Sequence, residues 1–290
     1  MKPPAFDYLR TSTLPEALEA LQTEDAKLIA GGQSLMPMLN FRLLRPALLV
    51  DINRIRALDT LEQTAGGGLR IGALTRHLKL EFSPLVRAKF PILAAAVAHI
   101  GHLAIRNRGT IGGSLSHADP VAEHLLVSVL LDATLTVQSA AGVRAVPAAQ
   151  HIRGALSTSL APAEIVTAIE LPPLAPNTGW GFEEVARRRG DFAIAAAAVL
   201  IRRSANLVIE ARVAVAGGVD GPVRVGGAER ALRGTRCDAP AITAAADAVR
   251  ASVEPNTDLH GSPALRHHIL GALLARACKS AWDRSATTHA

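Results

Sequence analysis

Cysteine is nearly missing from this 290-residue chain: Cys237 and Cys278 are its only two. They have neither CxxC spacing nor the number needed for a disulfide framework, and an iron–sulfur cluster held by this chain alone is excluded. Aromatic side chains make up only 3% of the residues and Tyr8 is the single tyrosine, which leaves little on which nucleobases could stack. The net charge of +6 comes mostly from arginines spread along the chain rather than from a basic patch, so nucleic acid is not an expected partner. A membrane-spanning helix needs roughly 20 consecutive apolar residues. The longest candidate, Phe192 to Ile201, falls well short. The start, Met-Lys-Pro-Pro followed by Asp7 and Arg10, lacks the apolar core of a secretory signal, so a cytoplasmic location is expected. The chain also contains no GxGxxG opening a helix, no GxxxxGK[ST] loop, no HExxH helix and no GxSxG elbow. An ordinary Rossmann enzyme, a P-loop NTPase, a zinc protease and a serine hydrolase are thereby disfavoured.

What is present is a composition for two folded domains, with 49% apolar residues, most of them short and aliphatic. Thr13 and Glu16 have capping-box spacing, and Leu14, Ala17, Leu18 and Leu21 recur at helical intervals, which predicts a helix to about Thr23. Lys27 to Ala30 and Ala47 to Ile52 read as two buried strands joined by a loop. Gly66-Gly67-Gly68 reads as a hairpin turn between Leu58–Thr64 and Leu69–Leu74, because no helix follows it. Leu85 to Ile100 is helical in period, divided at Pro91, and Val121 to Leu131 is a buried helix. A hairpin turns at Ala141-Gly142, and Glu164 to Leu171 forms another strand. The rigid run Pro172-Pro173-Leu174-Ala175-Pro176-Asn177 cannot pair in a central strand and is taken as the boundary between domains at 1–176 and 177–290, the first with subdomains of about 1–56 and 57–176. Strand-like segments at Gly181 to Val185, Ala193 to Arg202 and Leu207 to Ala216 precede helical periodicity at Ala239 to Val253 and Pro263 to Trp282, so the second domain is expected to be a sheet backed by helices.

Two segments could carry chemistry. Ala30-Gly31-Gly32-Gln33-Ser34 follows a strand, and its amides can approach a pyrophosphate without side chains in the way. Taken by itself it also fits an ordinary tight turn. The second segment, Thr110-Ile111-Gly112-Gly113-Ser114, adds paired glycines and hydroxyls, with Asp119 just ahead of a helix expected to begin near Pro120. Two donor-rich loops in one domain imply a long phosphate-containing ligand. A metal site built on His99 and His102, or on His117, Asp119, Glu123 and His124, is the weaker reading, because the glycines around His117 have a better use. His267 and His268, beside Arg266, read as solvated, and no catalytic acid, base or nucleophile constellation is visible.

KLIAGGQSLMPMLNFRLLRP, IGHLAIRNRGTIGGSLSHADPVAE, FEEVARRRGDFAIAAAAV and DLHGSPALRHHILGALLARA occur in the order seen in the FAD-binding medium subunits of molybdenum hydroxylases, the carbon monoxide dehydrogenase and xanthine dehydrogenase family. The chain resembles that family over nearly its whole length. The resemblance implies an α+β fold: an FAD domain of the vanillyl-alcohol-oxidase type built from two subdomains, and a smaller C-terminal domain against the flavin. It implies cofactor binding by Lys27, Leu28, Ile29, Ala30, Gly31, Gly32, Gln33, Ser34 and Leu35, by Ile100 and Gly101, and by Thr110, Gly112, Gly113 and Ser114. His117 and Asp119 fall in the same middle motif, Glu123 matches an acid that accepts hydrogen bonds from the cofactor, and Ile165 and Val166 match an apolar flavin contact. Asp191 is expected to be structural. In two places the chain departs from the family: Glu183-Glu184 stands where several relatives put a lysine near the flavin, and Phe182 is the nearest candidate for the aromatic often found close to the ring.

The implied function is electron transfer. Substrate would be hydroxylated at molybdopterin in a large partner subunit, and electrons would pass through [2Fe–2S] clusters in a small partner subunit to this FAD, then to NAD, a quinone, a dye or oxygen, in a dimer of heterotrimers. Two rivals stay open on the sequence: a stand-alone FAD oxidase or dehydrogenase, and a nucleotide-binding or scaffolding module without redox activity.

Overall fold

The computed structural model describes residues 2–285. The chain begins with a strand that the periodicity analysis passed over, β1 (Asp7–Arg10), whose four residues are all exposed and so carry no apolar signature. Helix α1 (Leu14–Ala20) follows, and Thr13 and Glu16 form the predicted capping box at its start. Next come β2 (Ala26–Ile29), α2 (Leu35–Asn40) and β3 (Leu48–Asp51); the expected loop between the two strands therefore contains a short helix. The three strands make a parallel sheet in the order β1-β3-β2. Ala17, Leu18 and Leu21 of the first helical segment pack with Val50, Ile52 and Leu58 into a small core.

The second subdomain opens with β4 (Leu61–Gln63) and β5 (Leu69–Gly72), joined through the glycine turn. A run of short helices follows: α3 (His77–Phe82), α4 (Pro84–Lys89), α5 (Pro91–Val97), α6 (Leu103–Arg108), α7 (Ile111–His117) and α8 (Glu123–Leu130). Ser83 caps α4, Pro84 and Pro91 occupy first-turn positions, and the break expected at Pro91 separates α4 from α5. The hairpin β6 (Thr134–Ser139) and β7 (Gly142–Pro147) comes next, then α9 (Ala148–His151), the two-stranded β8 (Ile152–Gly154) and β9 (Ser157–Thr158), and β10 (Ile165–Leu171). The antiparallel sheet runs β4-β5-β10-β6-β7. Helix α8 is buried at every position but its first, as expected of the apolar run, although it starts at Glu123 rather than near Pro120.

After the proline-rich run the chain forms an antiparallel meander, β11 (Thr178–Ala186), β12 (Ala193–Ser204), β13 (Leu207–Ala216) and β14 (Val223–Arg224). Three helices complete it: α10 (Gly226–Leu232), α11 (Ala239–Ser252) and α12 (Pro263–Ser285). The two faces of this sheet serve different cores. Ala195, Ala197, Val199 and Ile201 pack against α10, α11 and α12, whereas Ala196, Ala198 and Leu200 join the core that includes α5, α8 and the five-stranded sheet. Strand alternation thus decides which half of the molecule each residue faces. Arg266, beside the two histidines read as solvated, is 2% exposed: its guanidinium donates to the Ile194 carbonyl and pairs with Asp258 at 2.6 Å. His267 Nε2 donates to the Val253 carbonyl (2.7 Å) and the residue is half-buried, while His268 is exposed. No helix among the described residues is long and apolar enough to cross a membrane.

Candidate functional site

The two glycine-rich segments meet backbone to backbone. A β-carbon on Gly31 would stand 2.3 Å from the Arg108 carbonyl oxygen and 2.8 Å from the Gly109 Cα, a separation no side chain permits. The first segment leaves β2 at Ile29, turns through Gly32 at φ +72°, and enters α2 with Ser34 as its cap residue, whose hydroxyl caps nothing. Among the described residues the amides of Gly31, Gly32, Gln33 and Ser34 donate no hydrogen bond. Backbone N–H groups left without a partner at a partly open surface are donors waiting for a ligand or water.

The second segment is built differently from the expected loop. Thr110 caps α7, its hydroxyl accepting from Gly113 N at 3.1 Å, so Gly112, Gly113 and Ser114 lie in the first turn of a helix. Its amides are already used: Ile111 N donates to Thr75 O, Gly112 N to Ala73 O, and Ser114 N to Thr110 O. Gly112 is small because a β-carbon there would stand 2.5 Å from Ala73 Cβ. What the segment can still offer is the exposed face of Gly113 and the hydroxyls of Ser114 and Ser116. Asp119 is bound into its own turn, accepting from Val121 N at 3.0 Å, after Ala118 in the left-handed region at φ 51°. His117 lies half-buried at the end of α7.

Two residues that sequence reasoning passed over tie these segments together. Asn53 donates to the Ala30 carbonyl (2.7 Å) and to Asp51 (2.7 Å), and Arg76 donates to Asn53 Oδ1 (2.6 Å) and to the Arg108 carbonyl. One guanidinium therefore holds the backs of both glycine segments and places a positive charge behind them. No motif announced this, since Asn53 and Arg76 lie outside both glycine runs. Beneath them His77 and His124 are buried with their rings bonded at 2.9 Å, and a β-carbon on Gly109 would fall 2.4 Å from the His77 ring. Burial pushes the His77 imidazole down to about 4 and holds His124 well below the ordinary range.

Ile100 and Gly101 follow the end of α5. Arg106 donates to both carbonyls, at 3.0 and 2.9 Å, and pairs with Glu81 at 2.8 Å. A β-carbon on Gly190 would stand 2.8 Å from the Gly101 carbonyl, so the turn from β11 to β12 rests on this segment. That turn carries Phe192, 77% exposed, and three exposed arginines, Arg187, Arg188 and Arg189. Phe182, the candidate for the aromatic near the ring, is a core residue, 8% exposed and tilted against His99 with the ring centroids 5.2 Å apart. It points inward because even-numbered residues of β11 face α5. Asp191 N donates to the Arg188 carbonyl, a turn contact.

Glu123 stands at the first position of α8, and its carboxyl is pushed up to about 8 by burial, then by the charge of Glu184. Ile165 and Val166 are 2% and 4% exposed and belong to two core clusters. Lys27 is exposed on β2, while Leu28, Ile29, Ala30 and Leu35 are half-buried around the first segment. His102 is exposed, at the start of α6.

The donor set fits a dinucleotide flavin cofactor: a row of unpartnered amides, with the hydroxyls of Ser114 and Ser116 and the Arg76 guanidinium on the neighbouring segments. Comparison with known proteins points the same way. Residues 4–174 match the family described as the FAD binding domain in molybdopterin dehydrogenase, and residues 180–281 match the CO dehydrogenase flavoprotein C-terminal domain. The chain is 40% identical over 291 residues to the 6-hydroxypseudooxynicotine dehydrogenase complex subunit alpha of Paenarthrobacter nicotinovorans, covering 99% of this chain and 98% of that protein. It is 38% identical to the carbon monoxide dehydrogenase medium chain of Hydrogenophaga pseudoflava, covering 99% and 100%. Among solved structures, the carbon monoxide dehydrogenase of Hydrogenophaga pseudoflava that lacks the Mo-pyranopterin moiety superposes with a TM-score of 0.95 at 38% identity, covering 98% of this chain and 99% of that one. Quinoline 2-oxidoreductase from Pseudomonas putida 86 gives the same TM-score, 0.95, at 37% identity and with the same coverage, 98% and 99%. The chain belongs to the family of FAD-binding medium subunits of molybdenum hydroxylases, oxidoreductases of the carbon monoxide dehydrogenase and xanthine dehydrogenase type.

Proposed function

We propose that this subunit receives electrons from iron–sulfur clusters of a small partner subunit and delivers them through FAD to an external acceptor, while substrate is oxidised at molybdopterin in a large partner subunit. The observation that carries the reading is the contact of Gly31 with Arg108 and Gly109, which brings four unpartnered amides to the junction of two subdomains. Those amides, from Gly31 to Ser34, would bind the pyrophosphate, with the Arg76 charge behind them favouring the anion. Ser114, Ser116 and the exposed face of Gly113 would bound the other side, with Thr110 and Gly112 holding that helix in place. Ile100 and Gly101 would line the cleft, with Glu123 accepting hydrogen bonds from cofactor hydroxyl or N–H donors. Phe192, exposed on the turn whose Gly190 rests on Gly101, would cover an aromatic ring placed beside that turn. The flavin supplies the capacity to take up and release electrons; the chain binds it, orients it and limits water around it.

Only two cysteines are present, so the clusters that feed the flavin must belong to other chains. Exposed apolar side chains at Phe41, Leu43 and Leu259 suit burial against partners, and a dimer of heterotrimers is the assembly we propose. Two buried free thiols accord with a reducing, cytoplasmic setting. The Pro172–Asn177 run between β10 and β11 is taken as the junction of the two domains.

The test is to purify the chain, offer it FAD, and record the visible spectrum and flavin fluorescence. Stoichiometric uptake is expected, and a protein that takes up none would overturn the reading. Isolation of the native complex should then yield molybdenum and iron; an active, metal-free single chain would favour a stand-alone oxidase instead.

A further inference from the structure

On the face of the C-terminal sheet turned to the FAD domain, apolar residues give way to charged ones. Leu200 of β12 is opposite Arg212 of β13 and Arg202 is opposite Glu210, so the surface of Ala196, Ala198 and Leu200 continues as a charged strip. Arg224 of β14, opposite Ala214, extends it. Here the sheet, helix α10 and Asp132, on the connection from α8 to β6, line a crevice of about 470 Å3 between the two domains. It shares Arg202, Glu210 and Arg212 with a smaller notch of about 100 Å3, walled by Pro173 and Leu174 of the linker and by Leu200. Junctions between domains are preferred places for ligands, and this volume lies within the range of small-molecule sites. No lining residue of either cavity belongs to the Gly31–Ser34 or Thr110–Ser114 segments.

The charges in the crevice do not balance, because five arginines and three carboxylates line it. Three of the arginines take up all three carboxylates in one continuous chain. Glu229 pairs with Arg224, and Arg224 with Asp132 at 2.8 Å. Asp132 pairs in turn with Arg212 at 2.9 Å, Arg212 with Glu210 at 3.3 Å, and Glu210 with Arg202 at 3.0 Å. Arg230 and Arg233, three residues apart across the end of α10, are left over. Both are exposed, and among the described residues neither has a hydrogen bond or an ion pair. Arg230 folds back along its helix: a β-carbon on Gly226 would stand 3.4 Å from its Nη1, so the glycine leaves room for the guanidinium beside the crevice. The ion-pair chain thus holds Arg212 and Arg224 in the wall, while the two spare guanidinium groups leave a surplus of two positive charges.

We propose that this interdomain crevice binds a small phosphate-bearing organic molecule, its phosphate held by Arg230 and Arg233 and its apolar end seated in the notch beside Pro173 and Leu174. A guanidinium fork matches two phosphate oxygens at once, which suits arginine to this role better than lysine. A phosphate monoester carries about two negative charges at neutral pH, which offsets the surplus. The notch gives an apolar group a place out of water beside the charged strip. Because Asp132, the linker and α10 all border the crevice, a ligand there ties the C-terminal domain to the FAD domain.

The test is calorimetric titration of the full chain with phenyl phosphate and with inorganic phosphate, at low salt and with FAD present. Phenyl phosphate should bind saturably and more tightly than inorganic phosphate. Arg230→Gln combined with Arg233→Gln should weaken it about tenfold or more, the effect of losing hydrogen bonds to a charged group. Arg230→Lys combined with Arg233→Lys should fall between the two, since it keeps the charge and loses the fork. Flavin content and far-UV circular dichroism should not change in either variant. Absence of saturable phenyl phosphate binding at millimolar concentration overturns the proposal, as does wild-type affinity in the double glutamine variant or equal affinity for the two phosphates. Loss of binding in Arg76→Met but not in the double glutamine variant also overturns it, because the phosphate would then sit at the glycine segments. The FAD reading fails separately: a chain that takes up no FAD can still bind phenyl phosphate through Arg230 and Arg233.

Discussion

Gly31 and Gly109 lie so close that a β-carbon on the first would stand 2.8 Å from the Cα of the second. The contact joins a parallel three-stranded unit to a helical segment of the next subdomain, and the amides after Gly31 remain unpartnered. Gly31→Ala should therefore push the two segments apart and strip flavin from the protein. Gly113→Ala should lower flavin content less than Gly31→Ala, because the added carbon would meet no backbone, only the Thr110 hydroxyl that caps α7, at 2.8 Å. Gly112→Ala is predicted to act on stability instead, costing about 1–3 kcal/mol through overpacking against Ala73. Flavin content and thermal midpoint, measured on all three variants, separate these effects; equal flavin loss in the Gly31 and Gly113 variants would contradict the assignment.

Arg76 and Asn53 form a strut behind the glycine segments, with a charged hydrogen bond of 2.6 Å between them. Arg76→Met should remove both that bond and the positive charge behind the anion site. FAD affinity is expected to fall about tenfold or more, since a hydrogen bond to a charged group contributes roughly 1.5–3 kcal/mol. Titration of the apoprotein checks it, and unchanged affinity would mean that the charge is too far from the phosphate to matter.

The buried His77–His124 pair gives the stability an acid dependence. Both imidazoles are neutral in the folded protein and held low, His77 at about 4, whereas in the unfolded chain each protonates near its ordinary value of 6.5. The unfolded state therefore binds more protons between those limits, and stability present above pH 6.5 is lost as pH falls toward about 4. Glu123 and Glu184, raised to about 8 and about 7, tilt the curve the other way at higher pH, so comparison with a variant is needed. In His124→Gln the loss of denaturant midpoint between pH 6.5 and 4 should be smaller than in wild type. An identical slope would place the titration elsewhere.

Phe192 is 77% exposed on a turn seated against Gly101. Replacing it by alanine should leave the folded stability within about 0.5 kcal/mol, as is usual for an exposed site. The flavin absorption and fluorescence of the loaded protein should shift, because one face of the ring loses its aromatic neighbour. Identical spectra in Phe192→Ala and wild type would remove Phe192 from the cofactor's surroundings.

Much of the architecture is written in local patterns. The capping box at Thr13 and Glu16, the break at Pro91, the hairpin at Ala141-Gly142 and the buried run of α8 follow from cap chemistry, fixed φ and apolar periodicity, which act over a few residues. Strand β1 escaped because all of its residues are exposed, so burial wrote no pattern into it.

For the site, the sequence by itself determined that two glycine-rich, hydroxyl-bearing segments exist and, through the ordered motifs around them, which family they belong to. Only the tertiary structure decided what each glycine is for: Gly31 admits a second backbone, whereas Gly112 admits the side chain of Ala73. It likewise put Phe182 into the core, left Phe192 exposed on a turn, and recruited Asn53 and Arg76. These are contacts between residues tens of positions apart. Sequence spacing cannot encode them, because they depend on how separate sheets and helices pack and on which parity of a strand faces which core.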